Sequence, residues 1–118
     1  MLVVEDDRSL RELYNKVLTL EGYSVVPAED GVEALRCVDR QPVDAVILDL
    51  VMPRLDGHGV KRSFAGNPAM RDVPVVLITG QVDADINPDD YACVLHKPIG
   101  IDELVRAVRE CLEKAGYA

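Results

Sequence analysis

The chain has 118 residues, 48% of them hydrophobic and 29% charged, and a formal net charge of −8. Those values describe one globular domain with a real core and exclude a disordered tail. The acidic balance argues against direct nucleic-acid binding, and neither a membrane span nor a signal peptide is legible.

The predicted elements alternate between strand and helix. Met1-Leu2-Val3-Val4 reads as a first strand that runs into Glu5-Asp6-Asp7. Leu10, Leu13, Tyr14, Val17 and Leu18 then fall on one helical face, with Ser9-Leu10-Arg11-Glu12 as a capping box and Gly22 as the stop. Tyr23-Ser24-Val25-Val26 is shorter and more polar, the expectation for an edge strand. Asp30-Gly31-Val32-Glu33 predicts the cap of a second helix, with Leu35 and Val38 inward. Ala45-Val46-Ile47-Leu48 is a third strand, buried on both faces, that ends on Asp49. A third helix is expected from near Gly57 to Pro68.

Val75-Val76-Leu77-Ile78 runs into Thr79, and Ala92-Cys93-Val94-Leu95 runs closely into Lys97-Pro98. Between them, the stretch from Gly80 to Tyr91 holds Gly, Asn, Pro and four Asp, which predicts at most a turn or two of a fourth helix. The acidic run from Asp83 to Asp90 is read as a solvated loop. Ile101, Leu104, Val105, Val108, Cys111 and Leu112 mark a last helix, with Gly100 as its N-cap. This pattern predicts an α/β domain with a doubly wound parallel sheet. Cys37, Cys93 and Cys111 are odd in number, lack CxxC spacing and sit at apolar positions. They are expected to be reduced, structural thiols of a cytoplasmic protein.

Open parallel sheets bind ligands at the carboxyl ends of their strands. That rule gathers Glu5, Asp6, Asp49, Thr79 and Lys97 at one point. Three carboxylates close together call for a hard divalent cation, and Mg²⁺ suits a shell shared with phosphate. An Asp carboxylate can attack phosphorus and form an acyl phosphate. Mg²⁺, the Lys97 ammonium and the Thr79 hydroxyl would then neutralise the phosphoryl oxygens, with Gly80 leaving the pocket open. Lys97 at a strand end is unlike an ordinary surface lysine. His58 is read as a solvated surface residue, and alternation points His96 away from the pocket.

Leu2-Val3-Val4-Glu5-Asp6-Asp7, Leu48-Asp49-Leu50-Val51-Met52-Pro53 with Asp56-Gly57, Ile78-Thr79-Gly80 and Lys97-Pro98 together resemble the receiver domain of two-component response regulators. The resemblance covers residues 1–118 as one domain. It implies a flavodoxin-like sheet of five parallel strands in the order 2-1-3-4-5 and phosphoryl transfer from a histidine kinase or phosphotransfer protein to Asp49. It implies that Asp6 and Asp49 ligate Mg²⁺ directly, with Glu5 acting through water and the Val51 carbonyl as a further ligand. It also implies a cis Lys97–Pro98 peptide and a downstream protein or fused domain that reads the phosphorylated state. Asp7 matches no required position and is expected only to help start the first helix.

Val94 departs from the family, which usually carries Tyr or Phe three residues before the lysine. Phosphorylation is expected to be intact and the usual readout altered, with Tyr91 expected as a packing residue. Three alternatives compete. A flavin-binding electron carrier needs a phosphate-cradling loop after the first strand, where Glu5-Asp6-Asp7 would repel a phosphate. A haloacid dehalogenase-type phosphatase wants a second Asp two residues after its nucleophile, where Val51 stands. A receiver that only binds proteins would not need Glu5, Asp6, Asp49, Thr79 and Lys97 as a complete set. The expectation is therefore a signalling module, not a turnover enzyme. The abrupt start at Met1-Leu2 suggests a piece of a hybrid kinase or of a longer regulator.

Overall fold

A computed structural model describes residues 1–49, 57–80, 86–114 and 116, with backbone alone at 57 and 58. The elements are β1 (Leu2–Val4), α1 (Arg8–Leu20), β2 (Val26–Ala28), α2 (Gly31–Arg40), β3 (Val46–Asp49), α3 (Gly57–Ala65), β4 (Val75–Thr79), a 3-10 turn (Pro88–Asp90), β5 (Cys93–His96) and α4 (Ile101–Lys114). The strands form one parallel five-stranded sheet in the order β2-β1-β3-β4-β5, the arrangement expected.

Strand alternation divides the core between the two faces of the sheet. Leu2, Val4, Val46, Leu48, Val75 and Leu77 meet Ala34 and Cys37 of α2 and Val60 and Phe64 of α3. Val3, Ile47, Val76 and Ile78 meet Tyr14 and Leu18 of α1 and Leu104, Val108 and Leu112 of α4. Both faces are therefore covered, which is why the strands read as unbroken apolar runs. No helix among the described residues is long and apolar enough to cross a membrane.

Several local expectations shift. Asp7, not Ser9, is the N-cap of α1: its Oδ1 accepts from the Leu10 N–H at 3.0 Å. Ser9 lies inside the helix, and Glu12 accepts from Arg8 instead of closing a capping box. At the other end the Tyr23 N–H donates to Leu18 O and the Gly22 N–H to Thr19 O, with Gly22 at φ 99°. That positive φ is what requires glycine there. Leu13, expected inward, is 38% exposed.

The edge strand begins at Val26, not Tyr23, and contains Pro27. Proline is tolerated because β2 lies at the sheet's margin, where an N–H is dispensable. Asp30 caps α2 as expected, accepting from the Glu33 N–H at 2.8 Å. The Gly100 carbonyl accepts the Leu104 N–H at the start of α4. The fourth-helix region keeps one described turn, Pro88–Asp90, while 81–85 lie outside the described residues.

The expectation for the cysteines is overturned in part. Cys93 of β5 and Cys111 of α4 are joined by a disulfide, with Cα atoms 5.9 Å apart. Both are half-buried on the face that α4 covers, so packing brings together two residues without recognisable sequence spacing. Cys37 is buried on the opposite face and remains a free thiol.

Candidate active site at the carboxyl end of the sheet

The register sets the level at which the polar residues emerge. Val4 pairs with Leu48, so Glu5 and Asp49, each one residue further along, leave adjacent strands side by side. On β4 and β5, Thr79 pairs with His96, and the Lys97 N–H donates to the Thr79 carbonyl at 2.8 Å. That bond seats Lys97 directly beyond the strand end. His96 is exposed.

Glu5, Asp6 and Asp49 each offer a carboxylate oxygen, all within 4.8 Å of one another. Glu5 and Asp49 are buried and Asp6 is exposed. The Lys97 ammonium reaches into this group, 3.1 Å from Glu5 Oε1 and 3.5 Å from Asp49 Oδ2. One ammonium thus faces two buried carboxylates. Glu5 Oε2 is buried and has no hydrogen-bond partner among the described residues. A carboxylate left so is costly unless a proton or a cation joins it.

The electrostatics follow from that imbalance. Burial, reinforced by the neighbouring Asp49, pushes the Glu5 carboxyl up to about 8, against the opposing pull of Lys97. For Lys97, burial disfavours the charged form, but the Glu5 hydrogen bond and the charges of Glu5 and Asp49 outweigh it and raise its pKa. The Tyr14 phenol is also pushed up, first by burial and then by Glu5.

The acidic site fits a divalent cation on these grounds. Its donors are all hard oxygens, they lie at one point, and one buried oxygen lacks a partner among the described residues. Of the expected site residues, the fold brings together Glu5, Asp6, Asp49 and Lys97, with Thr79 buried at the adjacent strand end. Val51 lies outside the described residues. A Cβ added at Gly80 would lie 3.8 Å from Lys97 Cβ, an ordinary contact, so the space beside the lysine is open but not dependent on glycine alone.

Two contributors are not legible in the sequence. Arg11 Nη1 donates to the Glu5 carbonyl at 3.0 Å and to the Asp6 carbonyl at 3.3 Å, bracing the acidic turn from α1. Tyr14 lines a cleft of about 390 Å³ beside Lys97, with Leu10, Gly80, Pro98 and Ile99. Arg11 lies six and five residues beyond Glu5 and Asp6, a spacing that is meaningful only once α1 is known to fold back over them. The Lys97–Pro98 peptide is cis, as the resemblance implied.

Comparison with known proteins bears on this geometry. Residues 1–109 match the response regulator receiver domain family. The chain is 39% identical over 121 residues to response regulator MprA of Mycobacterium leprae, covering 97% of this chain and 51% of that protein. MprA of Mycobacterium tuberculosis (strain H37Rv) is equally similar, at 39% identity over 97% of this chain and 50% of the relative. The chain thus spans about half the length of the curated relatives it matches. Among solved structures, it resembles response regulator TrrA of Thermotoga maritima in complex with Mg²⁺-BeF (32% identity, TM-score 0.81, 94% of this chain, 96% of that one). It also resembles the receiver domain of sensor histidine kinase PA1611 from Pseudomonas aeruginosa, with magnesium in its active-site cleft (28% identity, TM-score 0.80, 95% of each chain).

Proposed function

This chain belongs to the response regulator receiver domain family, a signalling module of two-component phosphorelay and not a turnover enzyme, and on that premise we propose that its phosphoacceptor is Asp49. The observation that carries the assignment is the position of Asp49: buried, within 4.8 Å of two further carboxylates, and 3.5 Å from the Lys97 ammonium. An Asp49 oxygen attacks the phosphorus of a phosphohistidine on a histidine kinase or phosphotransfer protein. The O–P bond forms as the N–P bond breaks, and the electron pair leaves with the imidazole.

Asp6 and Asp49 would hold Mg²⁺ directly and Glu5 through water, with the Val51 carbonyl as a further ligand. When bound, the ion supplies positive charge to the phosphoryl oxygens. The chain's own groups do the rest. Lys97 exchanges its Glu5 partner for a phosphoryl oxygen, which its flexible stem allows. The Thr79 hydroxyl donates to another phosphoryl oxygen, and its movement draws on the Gly80 backbone. Arg11 holds the acidic turn in place through two carbonyls. A downstream protein or attached domain reads the result, and the relay runs in the cytoplasm.

Intact-mass measurement after phosphoramidate or acetyl phosphate treatment with Mg²⁺ tests the assignment. One added phosphoryl group is expected on the native chain and none on Asp49→Ala. A label that persists in Asp49→Ala overturns it.

A further inference from the structure

The phosphoryl site makes no use of the cysteines, yet their arrangement bears on the strand that carries Lys97. Cys93 and Cys111 are separated by 18 residues, and the loop they close contains Lys97, Pro98 and the first turns of α4. Both are only half-buried, whereas Cys37 is buried on the other face of the sheet. Thiol exchange depends on access and on thiolate character. Burial also pushes the Cys37 thiol up, which disfavours its thiolate and makes it an internal control. The Cα separation of 5.9 Å between Cys93 and Cys111 lies in the ordinary range for a bridged pair.

We propose that Cys93 and Cys111 form a reversible dithiol–disulfide modification site whose reagent is a low-molecular-weight disulfide, and that its closure fastens β5, with Lys97 at its end, to α4. In a reducing compartment the pair is open; a rise in oxidised small thiols closes it. One protein thiolate attacks the small disulfide, RSSR, giving a mixed disulfide and RS⁻. The second protein thiolate then attacks the protein sulfur of that mixed disulfide and displaces the other RS⁻. In balance, two protein thiols are oxidised to one disulfide, and one RSSR is reduced to two RSH, which take up the two protons.

Closure should be felt at β5 because α4 is anchored independently, by Leu104, Val108 and Leu112 in the core. β5, by contrast, is the sheet's other edge strand, with no residue fully buried. A covalent tie to an anchored helix removes openings in which β5 parts from it. The cysteine pair lies outside the phosphoryl site, and its chemistry does not depend on Asp49 accepting phosphate.

The test uses the whole chain in glutathione buffers of graded ratio, with free thiols trapped by iodoacetamide and read by peptide mass. Cys93 and Cys111 should lose alkylation together in the oxidised buffers, giving a linked peptide pair lighter by two hydrogens. Cys37 should be alkylated, after denaturation, at every ratio. Amide hydrogen exchange over residues 93–97 should slow by about tenfold or more on oxidation and recover on reduction. Cys93→Ser and Cys111→Ser should each exchange like the reduced native chain in both buffers. Persistent alkylation of both cysteines under oxidation, or a stable glutathione adduct without closure, overturns the site. Exchange over 93–97 that is the same within twofold in the two native forms, or that slows in Cys111→Ser, overturns the coupling to β5.

Discussion

Lys97 Nζ lies 3.1 Å from Glu5 Oε1, an ion pair between residues 92 positions apart in the chain. It is the only cation within salt-bridge reach of Glu5 and Asp49 among the described residues, and it is shared between them. Among the described residues, the site without metal thus sets one ammonium against three carboxylates, and that balance governs how it responds to substitution, to pH and to Mg²⁺.

Replacing Asp49 by Asn should remove the excess negative charge as well as the nucleophile. We predict that Asp49→Asn accepts no phosphoryl group and, without Mg²⁺ and above about pH 8, where Glu5 is ionised, is more stable than the native chain by about 1 kcal/mol, because a like charge beside buried Glu5 is gone. Urea unfolding in chelator would check this. A loss of stability would mean that Asp49 is held by favourable partners and not by the fold against repulsion.

Lys97→Met should act in the opposite sense. It leaves Glu5 and Asp49 buried without their shared cation, and the cost should be about 1–3 kcal/mol in chelator. Added Mg²⁺ should recover part of that loss, since both cations answer the same carboxylates. Phosphoryl incorporation should fall by about tenfold or more even with saturating Mg²⁺. Wild-type incorporation by this variant would remove Lys97 from the reacting group.

The pH dependence follows from Glu5, whose carboxyl titrates at about 8 in the fold against 4.5 in its ordinary state. Between those values the folded chain holds a proton that the unfolded chain has lost. Stability of the metal-free chain from this group is therefore greatest below 4.5 and declines as pH rises towards 8. Mg²⁺ competes with the same proton, so its affinity should rise over that window and its binding should release protons. Calorimetric titration in two buffers of different ionisation heat would measure the release. Glu5→Gln should flatten both trends relative to the native chain; an unchanged slope would assign the titration elsewhere.

The start of α1 offers a purely structural check. Asp7→Ala should cost about 1 kcal/mol, because it removes the acceptor for the Leu10 N–H. Ser9→Ala should cost less than about 0.5 kcal/mol, since Ser9 sits within the helix and caps nothing. Urea midpoints for the two variants decide between Asp7 and Ser9 as the cap.

Val94 is partly buried against the core and, being β-branched, has few rotamers to exchange. Tyr91 packs against the same cluster, with the Lys61 ammonium of α3 5.8 Å from its ring centroid. We predict that beryllofluoride shifts the amides of residues 79–80 and 86–91 more than those of α1 and α4. The largest shifts in either of those helices would refute a switch centred on the backbone after β4.

Much of this site was legible because the relevant signals are local. A buried strand announces itself by an apolar run, and a charge at its end has no reason to be there unless it works at the sheet's edge. Asp49, Thr79 and Lys97 could be read that way, as could the two helices on each face. Whatever depended on neighbours from distant parts of the chain was decided only by the tertiary structure. Pro27 hid the extent of the edge strand, because only sheet order reveals that its missing N–H is dispensable. Arg11 became a brace only when α1 packed back over the acidic turn. The strand-end rule gathered Lys97 with the acids, but its 3.1 Å pairing with Glu5, and the meeting of Cys93 with Cys111, were set by strand register and helix packing. Periodicity assigns each residue to a face of its own element. Which residue meets it there is set by how the elements close against one another around a shared core.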